Sequence, residues 1–115
     1  MAEIIVQNVN APAITFVAAT STGDTFYNGS GSEMLVIRNN NIADRTITFH
    51  SPGTCNFGLS ANPAHDLAIV VPGDGGGTGS YIFKRIDALR FNDVNGMVSM
   101  TYSNNGNGLT IAVIA

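Results

Sequence analysis

Short runs of alternating apolar and polar residues, each cut off by a cluster of Gly, Asn, Asp or Pro, fill this chain and leave room for little except β-structure. The clearest run is Arg45-Thr46-Ile47-Thr48-Phe49-His50-Ser51. Ile47 and Phe49 fall on one face and Thr46, Thr48 and His50 on the other, the pattern of a half-buried strand. Residues 97–103 repeat it, with Val98, Met100 and Tyr102 against Ser99, Thr101 and Ser103. Leu109, Ile111 and Val113 share one face of a last strand whose other face, with Ala112 and Ile114, is apolar too. Residues 34–37 and 67–71 are apolar on both faces, which places a strand centrally between layers or under a second chain. Residues 14–18, 81–85 and, as an N-terminal edge, 4–7 bring the number to about eight. That number and spacing predict an all-β fold, a single-domain antiparallel β-sandwich over residues 1–115, with residues 1–10 as an N-terminal arm or edge strand.

The punctuation between strands has its own chemistry. Asn28-Gly29-Ser30-Gly31-Ser32 and Asn39-Asn40-Asn41 bracket one strand with residues that tolerate positive φ or build local side-chain turns. Pro72-Gly73-Asp74-Gly75-Gly76-Gly77-Thr78-Gly79 is a low-complexity stretch that reads as a flexible hairpin. Asn104-Asn105-Gly106-Asn107-Gly108 reads as a hairpin between the last two strands. Helix signals are confined to Lys84-Arg85-Ile86-Asp87-Ala88-Leu89-Arg90, closed at once by Phe91-Asn92-Asp93, so one short turn is the most expected there.

Only 11% of the residues are charged, against about 25% in an ordinary soluble domain. Small domains keep their surfaces apart mainly with interspersed charge. This chain offers Asn, Gly, Ser and Thr instead, and its surplus of apolar residues implies a surface that belongs inside an assembly. The surplus positions are Ile4, Ile5 and Val6 in the arm, Met34 and Val36 on a strand apolar on both faces, and Ile114. The net charge of −3 and five scattered cations, Arg38, Arg45, Lys84, Arg85 and Arg90, lack the basic stripe that duplex binding requires, so no direct nucleic-acid partner is expected. No segment is long enough to span a membrane. The first residues have no basic n-region and too short an apolar run for a signal peptide, so cytoplasmic synthesis is expected. Cys55 is the one cysteine, which excludes an intrachain disulfide.

No catalytic, cofactor or metal site emerges from the pattern. The Gly-rich stretch lacks the Gly-Lys-Ser/Thr ending of a phosphate-binding loop and opens no helix. His50, Cys55, His65 and Asp66 are legitimate zinc-ligand types, but no pair has ligand spacing. His50, on the polar face of its strand, reads as a solvated imidazole. Nucleophilic catalysis needs a Ser or Cys, a base and an orienting carboxylate, and Gly29-Ser30-Gly31-Ser32 lacks the strand–helix setting of a nucleophile elbow. The chain is read as non-enzymatic.

From Gly23 onwards the sequence resembles a family of small β-sandwich virion proteins of tailed bacteriophages. The resemblance is carried by Gly23-Asp24-Thr25-Phe26, Leu35-Val36-Ile37-Arg38-Asn39, Thr46-Ile47-Thr48-Phe49, Val71-Pro72-Gly73 and Tyr81-Ile82-Phe83-Lys84. Arg90-Phe91-Asn92-Asp93 through Tyr102-Ser103 and Leu109-Thr110-Ile111-Ala112-Val113-Ile114 complete it. The longer loop at 73–79 and the apolar Met34 and Val36 depart from the family pattern. The resemblance implies a jelly-roll-type sandwich, a homotrimer, and the role of a head decoration (cement) protein. Such a protein is made in the bacterial host cytoplasm and resides on the virion surface, bound to the major capsid protein. Ile4, Ile5 and Val6 are then expected as shell-binding or swapped-arm residues, and Met34 and Val36 as subunit-interface residues. The alternative is a glycan-binding module of a phage tail or fibre using Tyr27, Asn40 and Asn105; an accessory domain of an enzyme, without activity of its own, is a third reading.

Overall fold

The computed structural model describes residues 2–52, 66–74 and 80–115, and shows a nearly all-β chain whose two sheets pack face to face as one sandwich-like domain. In chain order the strands are β1 (Ala2–Ile4), β2 (Val6–Gln7), β3 (Val17–Ala18), β4 (Asp24–Tyr27), β5 (Met34–Asn39), β6 (Arg45–His50), β7 (Leu67–Val71), β8 (Ser80–Arg85), β9 (Met97–Tyr102) and β10 (Leu109–Ile114). The first sheet runs β1-β4-β9-β6-β7; the second runs β2-β10-β5-β8, with β3 also beside β10. One helical turn, α1 (Ala88–Phe91), follows β8, capped by the Asp87 carboxylate accepting from the Leu89 amide.

Alternation places the core. Ile47 and Phe49 of β6, Val98 and Met100 of β9, Leu35 and Ile37 of β5, and Leu109, Ile111 and Val113 of β10 all turn inward and are buried. Residues 67–71 alternate as well: Leu67, Ile69 and Val71 face the core, while Ala68 and Val70 stay exposed. That strand is therefore an edge of the first sheet and not the central strand that its two apolar faces suggest.

Three further expectations are corrected. The sheets are mixed, because the arm runs parallel to its neighbours: β1 beside β4 and β2 beside β10. Residues 104–108 do not close a hairpin, since β9 and β10 lie in opposite sheets, and the same holds for the stretch between β7 and β8. Turn-forming residues permit a reversal without specifying which sheet receives the next strand. Asn104 and Asn105 do adopt positive φ, 49° and 59°, as their side chains allow.

A polar tie closes one end of the sandwich. Asp24 is buried, and its Oδ2 accepts from the Tyr102 hydroxyl at 2.6 Å and from the Thr20 amide at 2.9 Å. Burial, with the hydrogen bond to Asp24 and its charge adding, pushes the Tyr102 hydroxyl far above the usual tyrosine range. A raised folded-state pKa stabilises the fold below the unfolded pKa, about 10 for tyrosine, and that stability is lost as pH rises beyond it. Tyr102→Phe is thus expected to cost about 1–3 kcal/mol at neutral pH, by stranding part of the Asp24 carboxylate. It is also expected to flatten the loss of stability in alkali, measurable by urea melts across pH.

Candidate interaction surface

The register of the second sheet sets three outward rows. Thr110 of β10, Arg38 of β5 and Tyr81 of β8 form the first row; Ala112, Val36 and Phe83 form the second; Ile114, Met34 and Arg85 form the third. Apart from the two arginines and one threonine this face is apolar. Ala112 and Val36 are buried (Val36 is 8% exposed) although they lie outside the core cluster, so something covers them from the outer side.

The chain's own N-terminal segment runs across this side of the sheet. After β2, the Val9 amide donates to the Ala115 carbonyl at 2.8 Å and the Ala115 amide to the Gln7 carbonyl at 2.9 Å. The chain then turns back through Asn8 and Ala11, and the Gln7 side chain clamps it. The Gln7 amide group donates to the Thr15 carbonyl at 2.7 Å and accepts from the Thr15 amide at 2.8 Å. Phe16 reaches across to meet Tyr81 edge-on at 6.5 Å, where the Arg38 guanidinium lies 5.5 Å from the ring centroid. The strap leaves one corner open. There Val9, Ser32, Met34, Arg85, Ile114 and Ala115 line a hollow of about 310 Å³, and Phe83 beside it is 64% exposed.

The six surplus apolar residues of the sequence thus have different fates. Ile4 is 3% exposed and packs inside the core, opposite Phe26 of the neighbouring strand; as a surplus apolar residue it is corrected, because parallel pairing with β4 carries its side chain between the sheets. Val6 is half-buried against the same core. Ile5 marks the step from the first sheet to the second and is 67% exposed. Val36 is buried between Ala112 and Phe83 in the middle outward row. Met34 and Ile114, both half-buried, meet at the open corner.

The residues named for a glycan do not converge. Asn40 and Asn105 lie at one end of the sandwich, where the Asn40 amide donates to the Gly108 carbonyl, while Tyr27 lies at the other, beside Gly29 and Gly96. At the Asn40 end a hollow of about 350 Å³ is lined by Ala18, Ala19, Ser21 and residues 104–109.

One polar cluster joins two residues named in the sequence as metal-ligand types, His50 and Asp66, in a different arrangement. His50 is partnered on both ring nitrogens, Nδ1 with Asp66 Oδ2 at 2.9 Å and Nε2 with Thr101 Oγ1 at 2.7 Å, and Asp66 Oδ1 also accepts from the Ser51 amide at 2.9 Å. With an ionised Asp66 and a neutral ring, Nδ1–H donates and Nε2 accepts the Thr101 hydroxyl. A carboxylate–imidazole–hydroxyl line is the skeleton of nucleophilic catalysis, but none of the hollows above touches it. Its visible work is to hold Asp66 against the end of β6, corrected from the solvated imidazole expected there. The signal available was the shared polar face of His50 and Thr101; the 15-residue separation of Ser51 from Asp66 concealed the rest. Asp66→Ala is expected to cost about 1–3 kcal/mol by undoing two of these bonds, read as a shift in the urea midpoint.

Cys55, His65 and Gly75-Gly76-Gly77-Thr78-Gly79 lie outside the described residues. Among the described residues no three His, Cys, Asp or Glu side chains converge as metal ligands, and no helix is long and apolar enough to cross a membrane. No protein-family model matches the chain, and comparisons with curated proteins and with solved structures return no match.

Proposed function

We propose that the chain is a non-enzymatic virion protein of the head-decoration kind, which binds as a homotrimer to the major capsid protein of a bacteriophage head and stabilises the shell. One observation carries this reading: the apolar outward face of the second sheet, left open at the corner where Val9, Met34 and Ile114 line their hollow, on a chain with 11% charged residues. A monomer gains nothing by leaving such a face uncovered, whereas a cement protein needs a second buried surface besides its core. The strand order supports the jelly-roll part of the reading. β3-β10-β5-β8 facing β4-β9-β6-β7 is the arrangement produced when two Greek keys wrap into a double sheet.

The test is incubation with capsids stripped of the protein. Saturable binding is expected, weakened at least about tenfold by Met34→Asp, since a desolvated carboxylate at the corner costs more than the ~1.4 kcal/mol that a factor of ten represents. Absence of saturable binding overturns the reading. The glycan alternative rests on the amide-lined hollow around Asn105, without Tyr27; retention on a glycan array, lost in Asn105→Ala, would favour it.

A further inference from the structure

β8 ends the second sheet. β5 pairs with it on one side, and among the described residues no strand pairs with it on the other. An open edge presents unpaired N–H and C=O groups that template another strand, and proteins guard such edges with charge, Pro or a bulge. β8 has no Pro, and its register with β5 runs unbroken from Ser80 to Arg85. Both of its charges, Lys84 and Arg85, stand at one end. The rest of the edge is Ser80, Tyr81, Ile82 and Phe83, with Tyr81 51% exposed on the outward face beside the exposed Phe83.

We propose that this edge pairs with the same edge of a second copy of the chain, β8 against β8, antiparallel, about a twofold axis at Phe83. The charge pattern selects both the occupant and the register. Residues directly opposite in an antiparallel pair share a face, so the outward residues Tyr81, Phe83 and Arg85 must oppose one another. Centring on Phe83 sets Phe83 against Phe83 and places each Arg85 opposite Tyr81 of the other copy, an aromatic pair flanked by two cation–aromatic pairs. The Lys84 stem then faces Ile82. Centring on Lys84 would bring the two ammonium groups together, centring on Ile82 would leave both Arg85 residues without an aromatic partner, and parallel pairing would stack all four cations at one end. An isologous pair of this kind is closed. It uses the β8 edge, at the other end of the strand order from β2, so it goes beyond the shell-binding reading and would join trimers formed elsewhere to one another.

Cross-linking tests it. Opposed residues in such a pair have Cα atoms about 4.5–5.5 Å apart, a separation that a disulfide spans. In a Cys55→Ser background, Phe83→Cys is expected to oxidise to a covalent dimer, while Leu89→Cys, exposed on α1 away from the edge, stays uncrosslinked. In sedimentation, Phe83→Glu is expected to lower the mass of the parent assembly while circular dichroism shows the fold retained. Equal cross-linking of the two cysteine variants, or an unchanged mass for Phe83→Glu, overturns the pairing. Capsid binding is read separately: a chain that binds stripped capsids but fails these tests overturns this contact alone. One that cross-links but does not bind overturns the shell-binding reading alone.

Discussion

Replacing Ile4 by alanine is expected to destabilise the fold by about 2–5 kcal/mol, the usual cost of emptying a buried aliphatic site. Ile5→Ala, one residue on, is expected to stay within about 0.5 kcal/mol of the parent, as exposed substitutions do. The contrast follows from where the arm crosses between sheets. β1 hydrogen-bonds in parallel to β4 with Ile4 opposite Phe26, and β2 pairs with β10 with Val6 opposite Val113. The connecting residue points away from both sheets, which leaves Ile5 exposed above a groove of about 290 Å³ that it shares with Glu3, Thr15 and Val17. Urea denaturation of the two variants measures the difference directly. If Ile4 served a partner rather than the core, its truncation would leave the stability of the isolated chain unchanged and weaken only assembly. Ile5→Asp is the complementary case, expected to preserve the melt and to affect only what binds at the arm.

This division within three consecutive residues shows where a sequence stops being informative. The interior of the sandwich was legible because period-two alternation is a local property. Ile47 and Phe49, Val98 and Met100, and Leu109, Ile111 and Val113 face inward as their spacing requires. The arm was not legible, because Ile4-Ile5-Val6 has no alternation to show which residue turns in; the parallel neighbours that decide it are 22 and more positions away in the chain. β4 carries no strand signal in the sequence for a related reason. Asp24 begins it, and a buried aspartate looks like a turn residue until Tyr102 and the Thr20 amide are seen to satisfy it.

The surface was legible in part. Met34 and Ile114 were marked by their position on strands apolar on both faces, and they do meet at the open corner. Val36 carried the same mark and is instead buried, on the face that the returning strap crosses through the Gln7–Thr15 and Phe16–Tyr81 contacts. Residues 81–85 read in the sequence as part of the core set, whereas Tyr81 and Phe83 are exposed. Tyr81-Ile82-Phe83 has no alternation to show which residue turns in, and only the sheet order places the strand at an end.

Asn39→Ala is expected to cost more than about 3 kcal/mol, the largest effect of any polar substitution among the described residues, because a fully buried amide is shared by several backbone groups at once. Asn39 reads in the sequence as a turn former, and in part it is one: its Oδ1 accepts from the Asn41 amide at 2.9 Å. Its Nδ2 also donates to the carbonyls of Ala43 at 3.0 Å and of Val71 and Pro72, both at 3.2 Å, so the end of β5 is tied to the end of β7 in the opposite sheet. Gly73 completes the junction, since a Cβ there would lie 2.2 Å from the Ile42 carbonyl oxygen. Alanine at position 39 removes the donor, so the carbonyl of the buried Val71 loses this partner and the ties to the Ala43 and Pro72 carbonyls go with it. Asn39→Asp, nearly the same shape, is expected to be equally damaging at neutral pH, where its carboxylate faces carbonyl oxygens. The acid would have a raised folded-state pKa, so its stability is expected to recover as pH falls toward about 4, the ordinary range for aspartate. A urea midpoint that rises on acidification in Asn39→Asp, and does not in Asn39→Ala, would show that the amide protons hold the two sheets together at this end; equal pH profiles would show that shape alone does.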